Sequence, residues 1–268
     1  LKEGLTALSG IMIRSRIIVP VFLLLFIPFS GAAQQKQFKV PDYQGEVMHY
    51  KLKYSIFNIG SATISCLDDP SGCGHRITAE ARSDGLMRLF MNLHYQLECC
   101  MDPASGLPLY SVIDLKDGRN IFHNELEFDR GSGTDSTIIL SRMTGKHVLP
   151  GNIFDILTGF YHYRMNCITG HAKSGSETVI RTFYPDKPWD LRIRWAGTEN
   201  LETAFGQMAC YRVHPVTVVG KYFYNEDDMT IWFTRDEFHI PVQIGLNLKF
   251  GGIHGELVQY ENPRQKVL

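Results

Sequence analysis

The chain has no excess of either charge, no apolar run long enough to cross a bilayer comfortably, and none of the common catalytic signatures. Over 268 residues the formal net charge is −1, so the basic footprint of a nucleic-acid binder is missing. There is no Gly-x-Ser-x-Gly elbow for a serine nucleophile. The ten histidines form neither His-Glu-x-x-His nor His-x-His, which removes the familiar zinc-hydrolase patterns. The glycine-rich stretch 250–255 lacks the Lys-Ser/Thr ending of a phosphate loop and reads as a strand bulge or tight turn. No internal repeat recurs, and no linker parts the chain into two domains. No catalytic residue, metal or cofactor is therefore assigned, and the question of an enzyme stays open with the balance against one.

What is present begins with an export signal. From Met12 the chain reads MIRSRIIVPVFLLLFIPFSGAAQQ. Two arginines, an apolar stretch from Ile17 to Phe29 and the small residues Ser30, Gly31, Ala32 and Ala33 stand in the order of a secretory signal peptide. The apolar stretch falls short of the roughly 20 residues of a membrane span, and Pro20 and Pro28 interrupt it. Cleavage is expected after Ala32 or Ala33, leaving no membrane span. With no cysteine at that point, the product is not lipid-anchored. Residues 1–11 read as an upstream extension, 34–42 as a polar lead-in, and 43–268 as one β-rich domain. Loss of the leader takes three basic residues and one acidic one, so the mildly acidic body argues against nucleic acid or an anionic membrane as partner.

Six cysteines in an exported chain invite disulfides. Cys66 and Cys73 bracket the turn Leu-Asp-Asp-Pro-Ser-Gly between two strand-like runs, which makes them the candidate bridge, with buried free thiols as the alternative. Cys99 and Cys100 are adjacent in a strand and face opposite ways. Cys167 and Cys210 are unassigned. Cys66, Cys73 and His75 lack the second ligand pair of a structural zinc site.

The body alternates with period two. Met48, Tyr50, Leu52, Tyr54 and Ile56 share one side of the first strand, while Val47, His49, Lys51 and Lys53 share the other, as in a half-buried strand. Further strands are expected at 75–82, 93–101, 107–114, 119–129, 135–142, 177–184, 189–195, 201–204, 207–219, 229–234, 242–250 and 253–260, joined by short Gly, Pro and Asx turns. One segment, NIFDILTGFYHYRM at 152–165, repeats its apolar residues at helical spacing. Asn152 is the expected N-cap, Asp155 sits in the first turn where a carboxylate suits the dipole, and Gly159 allows close packing on a sheet. The fold class is all-β: an antiparallel meander forming a barrel or strongly curved sheet, with one helix packed across it. The helix covers an open edge or plugs a mouth; the interior is either hollow or solidly packed.

Acid–base chemistry needs two carboxylates converging on one cleft. Asp155 and Asp236 are the pair to test, but the plainer reading gives Asp155 to the helix start and Asp236 to the turn before Pro241, or to a buried ion pair with Arg164. His162 reads as a packed or surface histidine. Aromatic residues offer a binding surface: Tyr222, Phe223 and Tyr224 occupy a turn-like stretch before Glu226-Asp227-Asp228, and Trp232 follows. Loops of that kind carry much of protein function.

Four stretches, YKLKYSIFNIGSATISC at 50–66, FDILTGFYHYR at 154–164, FGQMACYRVHP at 205–215 and IWFTRDEFHIPVQI at 231–244, followed by FGGIHGEL at 250–257, resemble in order and spacing the exported bacterial family known as domain of unknown function 3108 (DUF3108). The resemblance implies a periplasmic, β-rich protein of a Gram-negative, Bacteroides-like host, with a fold similar to capsule-associated outer-membrane lipoproteins. By position it singles out Asp155, Tyr161, Arg164, Gly206, Tyr211, Asp236 and Pro241. It supplies no reaction. The expected function is a non-catalytic cell-envelope protein that binds or carries an amphipathic ligand or assists envelope assembly. An interaction module without a cavity is the alternative, and an enzyme acting on envelope glycans comes third. The expected partners are a lipid, a polysaccharide or an envelope protein.

Overall fold

The structure is a computed structural model that describes residues 43–263 except 86–87, 89–91, 131–134, 221 and 250. The signal peptide and polar lead-in expected over residues 1–42 lie outside the described residues. Eight strands come first: β1 (Glu46–Tyr54), β2 (Phe57–Asp68), β3 (His75–Ser83), β4 (Leu93–Met101), β5 (Pro108–Asp117), β6 (Asn120–Asp129), β7 (Ser136–Ser141) and β8 (Gly145–Pro150). The helix α1 (Ile156–Asn166) follows. Six more strands follow within the described residues: β9 (Glu177–Phe183), β10 (Pro188–Thr203), β11 (Gly206–Pro215), β12 (Met229–Thr234), β13 (Pro241–Leu248) and β14 (Gly251–Glu261).

All fourteen belong to one antiparallel sheet in the order β8-β7-β6-β5-β4-β3-β2-β1-β14-β13-β12-β11-β10-β9. Two meanders are thus joined where β1 pairs with β14, for instance Leu52 with Gly255. Sequence alternation foretells most of these strands but passes over β8, whose Gly-Lys-His-Val-Leu-Pro gives little apolar period. It also splits β10 in two. The strand continues across a bulge between Trp195 and Gly197, and Gly197 takes the positive φ of 108° that such a kink favours.

The outermost strands β8 and β9 share no backbone ladder, yet the sheet curls until its ends touch. Asp186, in the β9–β10 turn, accepts hydrogen bonds from Ser141 Oγ at 2.6 Å, Asn124 Nδ2 at 3.0 Å and Thr144 Oγ1 at 3.0 Å. The His147 ring lies 4.9 Å from that of Phe183, and Phe183 packs with Ile113, Leu126 and Ile139 from the far end of the sheet. The result is a barrel-like sheet with a side-chain seam.

Helix α1 lies inside this curve, against β3, β4 and β9. Its N-cap is Asp155, whose carboxylate accepts from Thr158 N at 2.8 Å in a capping box. The expectation of Asn152 at that position is corrected. Residues 152–154 are still extended, with Phe154 bridging to Thr182 on the free side of β9. A Cβ on Gly159 would meet Thr182 Cγ2 at 3.3 Å, so glycine there is what lets the helix approach β9 closely.

The disulfide also differs from expectation: Cys73 pairs with Cys100, Cα atoms 6.2 Å apart. The hairpin register places Cys66 opposite Ile77, on the inner face beneath the helix, where it is a buried free thiol. Cys73 lies beyond the strand end, in the turn that reaches Cys100 on the opposite face from Cys99. No helix among the described residues is long and apolar enough to cross a membrane.

Candidate functional site

Antiparallel alternation gives the curved sheet two distinct mouths. One, the helix end, carries α1, the β2–β3 turn with its disulfide, and the β12–β13 turn. The other, the open end, carries the turns β1–β2, β5–β6, β7–β8, β9–β10 and β13–β14, together with the 216–228 loop.

At the helix end the side chain of Arg164 is wholly buried. It forms a bidentate pair with Glu46, Nη1 to Oε2 at 2.7 Å and Nη2 to Oε1 at 2.8 Å. Glu46 also accepts from Tyr161 at 2.9 Å and Tyr260 at 3.1 Å. Arg164 Nε donates to the carbonyl of His239 at 3.1 Å, and Nη2 to that of Phe238 at 3.2 Å. Its guanidinium stands 4.1 Å from the Tyr43 ring centroid. In return the His239 ring meets the Arg164 carbonyl at 2.8 Å, closing the helix C-terminus against the β12–β13 turn. Burial drives the His239 pKa down, so the ring is neutral and donates from Nδ1.

The partner expected for Arg164 was Asp236, and the structure replaces it with Glu46. Asp236 is occupied in its own turn, where Oδ1 accepts from Thr234 Oγ1 at 2.9 Å, Phe238 N at 2.9 Å and His239 N at 3.1 Å. Asp155 and Asp236 therefore converge on no common cleft. Asp155 is sealed under the helix start, its pKa raised by burial against the hydrogen bonds from Thr158.

The free thiols are equally unsuited to chemistry. Burial pushes Cys66 up to about 12 and Cys167 and Cys210 to about 11, the reverse of an activated nucleophile. Asp69, Cys73 and Cys100 are the one cluster of potential metal ligands among the described residues. Its two sulfurs are consumed by the disulfide.

The open end is different in kind. Just inside it, the inner faces of β1, β2, β13 and β14 leave a cleft of about 90 Å³ lined by Tyr50, Leu52, Ala62, Ile64, Ile244, Leu246, Ile253 and Gly255. Its surface is apolar because the one polar group nearby, the Tyr50 hydroxyl, is turned away to the Pro241 carbonyl at 2.7 Å. The cleft is smaller than the roughly 150 Å³ cavity that accepts benzene, so it has room for the end of one alkyl chain and no more.

The aromatic loop sits at the same end. Phe223 bridges to Leu248, extending the sheet past β12. Asp228 fixes the loop by accepting from Tyr224 N and Asn225 N, each at 2.7 Å. Burial, then the charges of Asp117, Tyr222 and Tyr184, raise the pKa of the Tyr95 hydroxyl on β4. Tyr222 and Tyr224 are exposed, as a contact site requires. Trp232 is not part of this group. It faces the other side of β12, where its indole donates to Glu199 Oε2 at 3.0 Å and lies 3.2 Å from where a Cβ of Gly245 would stand.

Glu46 was not singled out beforehand, although a signal existed. It shares its parity with Met48, Tyr50 and Leu52, the apolar side of β1, and a charge on that side demands a buried partner.

A curved antiparallel sheet with a helix seated in one mouth and an apolar cleft in the other defines a barrel-like β protein. The chain belongs to DUF3108, described as protein of unknown function, whose family model matches residues 49–258. A search of curated proteins finds no match. Among solved structures the chain is similar to a β-barrel-like protein of domain of unknown function DUF1849 from Brucella abortus, with a TM-score of 0.52 and 10% identity over 81% of this chain and 96% of that one. A DUF1089 family protein from Pseudomonas aeruginosa matches at a TM-score of 0.36 and 13% identity, over 69% and 89% of the two chains. The first likeness supports the barrel-like fold.

Proposed function

We propose that this is an exported, non-catalytic protein of the Gram-negative periplasm that binds the aliphatic part of an amphipathic envelope ligand. The observation that carries the reading is the apolar cleft just inside the open end, beside an exposed aromatic loop. Binding sites of this kind combine an apolar concavity with a few orienting groups at its edge. The leader pattern at 12–33 supports export, and a disulfide suits an oxidising compartment. Because the cleft holds only a chain end, the ligand's remainder stays at the mouth, which favours an amphiphile over a small apolar molecule. The dispersed carboxylates and inert thiols weigh against the glycan-acting enzyme.

Titration with a dansyl-labelled fatty acid tests this. Saturable binding at one site per chain is expected, with loss of the signal in Ala62→Phe, whose ring fills the cleft. Absence of saturable binding, or undiminished binding by the filled variant, would leave the interaction module without a cavity as the better reading.

A further inference from the structure

The two mouths differ in surface chemistry as sharply as in their interiors. At the open end the hairpin tips carry exposed apolar side chains: Ile56 is 84% exposed, Phe57 66% and Ile121 76%, with Tyr54, Tyr222 and Tyr224 beside them. Exposed apolar residues scattered singly need no explanation, but a ring of them around one mouth does.

Charges at this end follow a second pattern. Among the described residues, Arg88, Lys116, Arg119 and Lys187 enter no ion pair, and Lys249 sits 5.0 Å from the Tyr224 ring centroid, exposed to solvent. The acidic groups here are mostly engaged. Asp84 is bonded to Ser61 and paired with Arg82, and Asp186 holds the seam. Glu226 and Asp227 pair with Arg194, and Asp228 braces the loop. Asp117 and Asp190 are the exceptions. The helix end has the opposite character, with Asp68, Asp129, Asp135, Glu202, Glu237 and Glu261 at its strand ends and turns. The mild acidity of the whole body is thus concentrated away from the open mouth, and a net charge taken over the chain conceals a polarity along the barrel axis.

We infer that the open end is a membrane-docking rim: apolar hairpin tips and uncommitted cations that fit an anionic lipid surface, holding the cleft over the bilayer from which its ligand comes. Apolar and aromatic side chains flanked by Lys and Arg are the combination that partitions into the headgroup region. The acidic helix end is repelled by the same surface, so attraction and repulsion both turn the mouth downward. This deepens the amphiphile-binding reading, on which it rests for what the surface delivers but not for whether the protein docks.

Co-sedimentation with phosphatidylcholine vesicles, with and without phosphatidylglycerol, tests it. The full chain without its leader is expected to bind the mixed vesicles and to release them as salt rises. Lys116→Gln with Arg119→Gln removes two cations worth about fivefold each near an anionic surface, hence roughly a 25-fold loss. Ile56→Ser with Phe57→Ser is expected to abolish retention at moderate salt. All four positions are exposed, and an unchanged thermal melt verifies folding. Ala62→Phe is the separating control, since it loses the labelled fatty acid yet keeps vesicle binding. No preference for the anionic vesicles, or unchanged binding by both rim variants, overturns the inference whatever the fatty-acid result. Failure to bind the vesicles at all overturns it equally and turns the apolar tips into a protein contact.

Discussion

Arg164 shows how much a single buried charge commits a fold. Its guanidinium is stripped of water and repaid by Glu46, two backbone carbonyls and the Tyr43 ring. Replacing one member leaves the other charged and unpaired, at a cost of about 3–5 kcal/mol. Arg164→Ala is therefore expected to melt roughly 10 °C lower, given the usual relation for a domain of this size. Glu46→Gln should cost a similar amount although it is nearly isosteric, because the loss is of charge and not of shape. A double variant, Glu46→Leu with Arg164→Leu, should recover part of the loss, and strict additivity in thermal melts would show that the pair is not coupled. Sequence spacing exposes Arg164 as a helix residue on an apolar face. It leaves the partner open because Glu46 lies 118 positions away, and only the pairing of β1 with β2, Glu46 opposite Cys66, brings it beneath the helix. Asp236 was the nearer guess, and its own turn claims it.

Among the elements, strands were legible wherever one face is wet and the other dry, as in β1, β6 and β12. They blurred where that contrast fades. β8 is an edge strand with no strong alternation, and β10 changes parity at the Gly197 bulge, so a two-residue period read across the bulge breaks in the middle. The helix was legible from its period, but its start was read three residues early because Asn152 is as good a cap by composition as Asp155. What decides between them is that Phe154 still pairs with β9. The β2–β3 turn teaches the same lesson about cysteines. Spacing brackets Cys66 with Cys73, while the inward parity of Cys66 withdraws it and leaves Cys73 to reach Cys100. This disulfide closes a loop with a sequence separation of 27, for which chain entropy gives about 3–4 kcal/mol as an upper figure. Cys73→Ser with Cys100→Ser is expected to lose about 2–4 kcal/mol in urea unfolding. Dithiothreitol should lower the wild type to the same midpoint and leave the variant unmoved. A Cys66→Ser change should leave the response to reductant intact, which a Cys66–Cys73 bridge would not allow.

At the scale of the whole molecule the sheet is held shut in two unlike ways. Opposite the seam, β1 and β14 are joined by a continuous ladder, and the cleft lies on their inner faces. At the seam, β8 and β9 share no ladder: Asp186 takes its three donors, Asn124 also donates to the Pro185 carbonyl at 3.3 Å, His147 touches Phe183, Phe183 packs inward, and Phe154 beyond β8 bridges to β9. No reading of local pattern could foresee the seam, since Asn124 and Asp186 are 62 residues apart and their meeting depends on the total curl of fourteen strands. Asp186→Ala removes the carboxylate that accepts three hydrogen bonds and is expected to cost about 1.5–3 kcal/mol. The loss should be local. Amides of β8 and β9 are expected to exchange faster with solvent deuterium, while those of β1, β2 and β14 keep their protection. Uniform acceleration across the sheet would mean that the seam is no separate unit, and unchanged exchange at β8 would mean that Asp186 does not hold it. The same variant separates the two ways into the barrel. If ligand enters the open mouth on the side of β1 and β14, across the sheet from the seam, Asp186→Ala should bind the labelled fatty acid with wild-type affinity and at the wild-type rate. Faster uptake would instead make the seam the gate, and would move the functional question from the rim to the turn between β9 and β10.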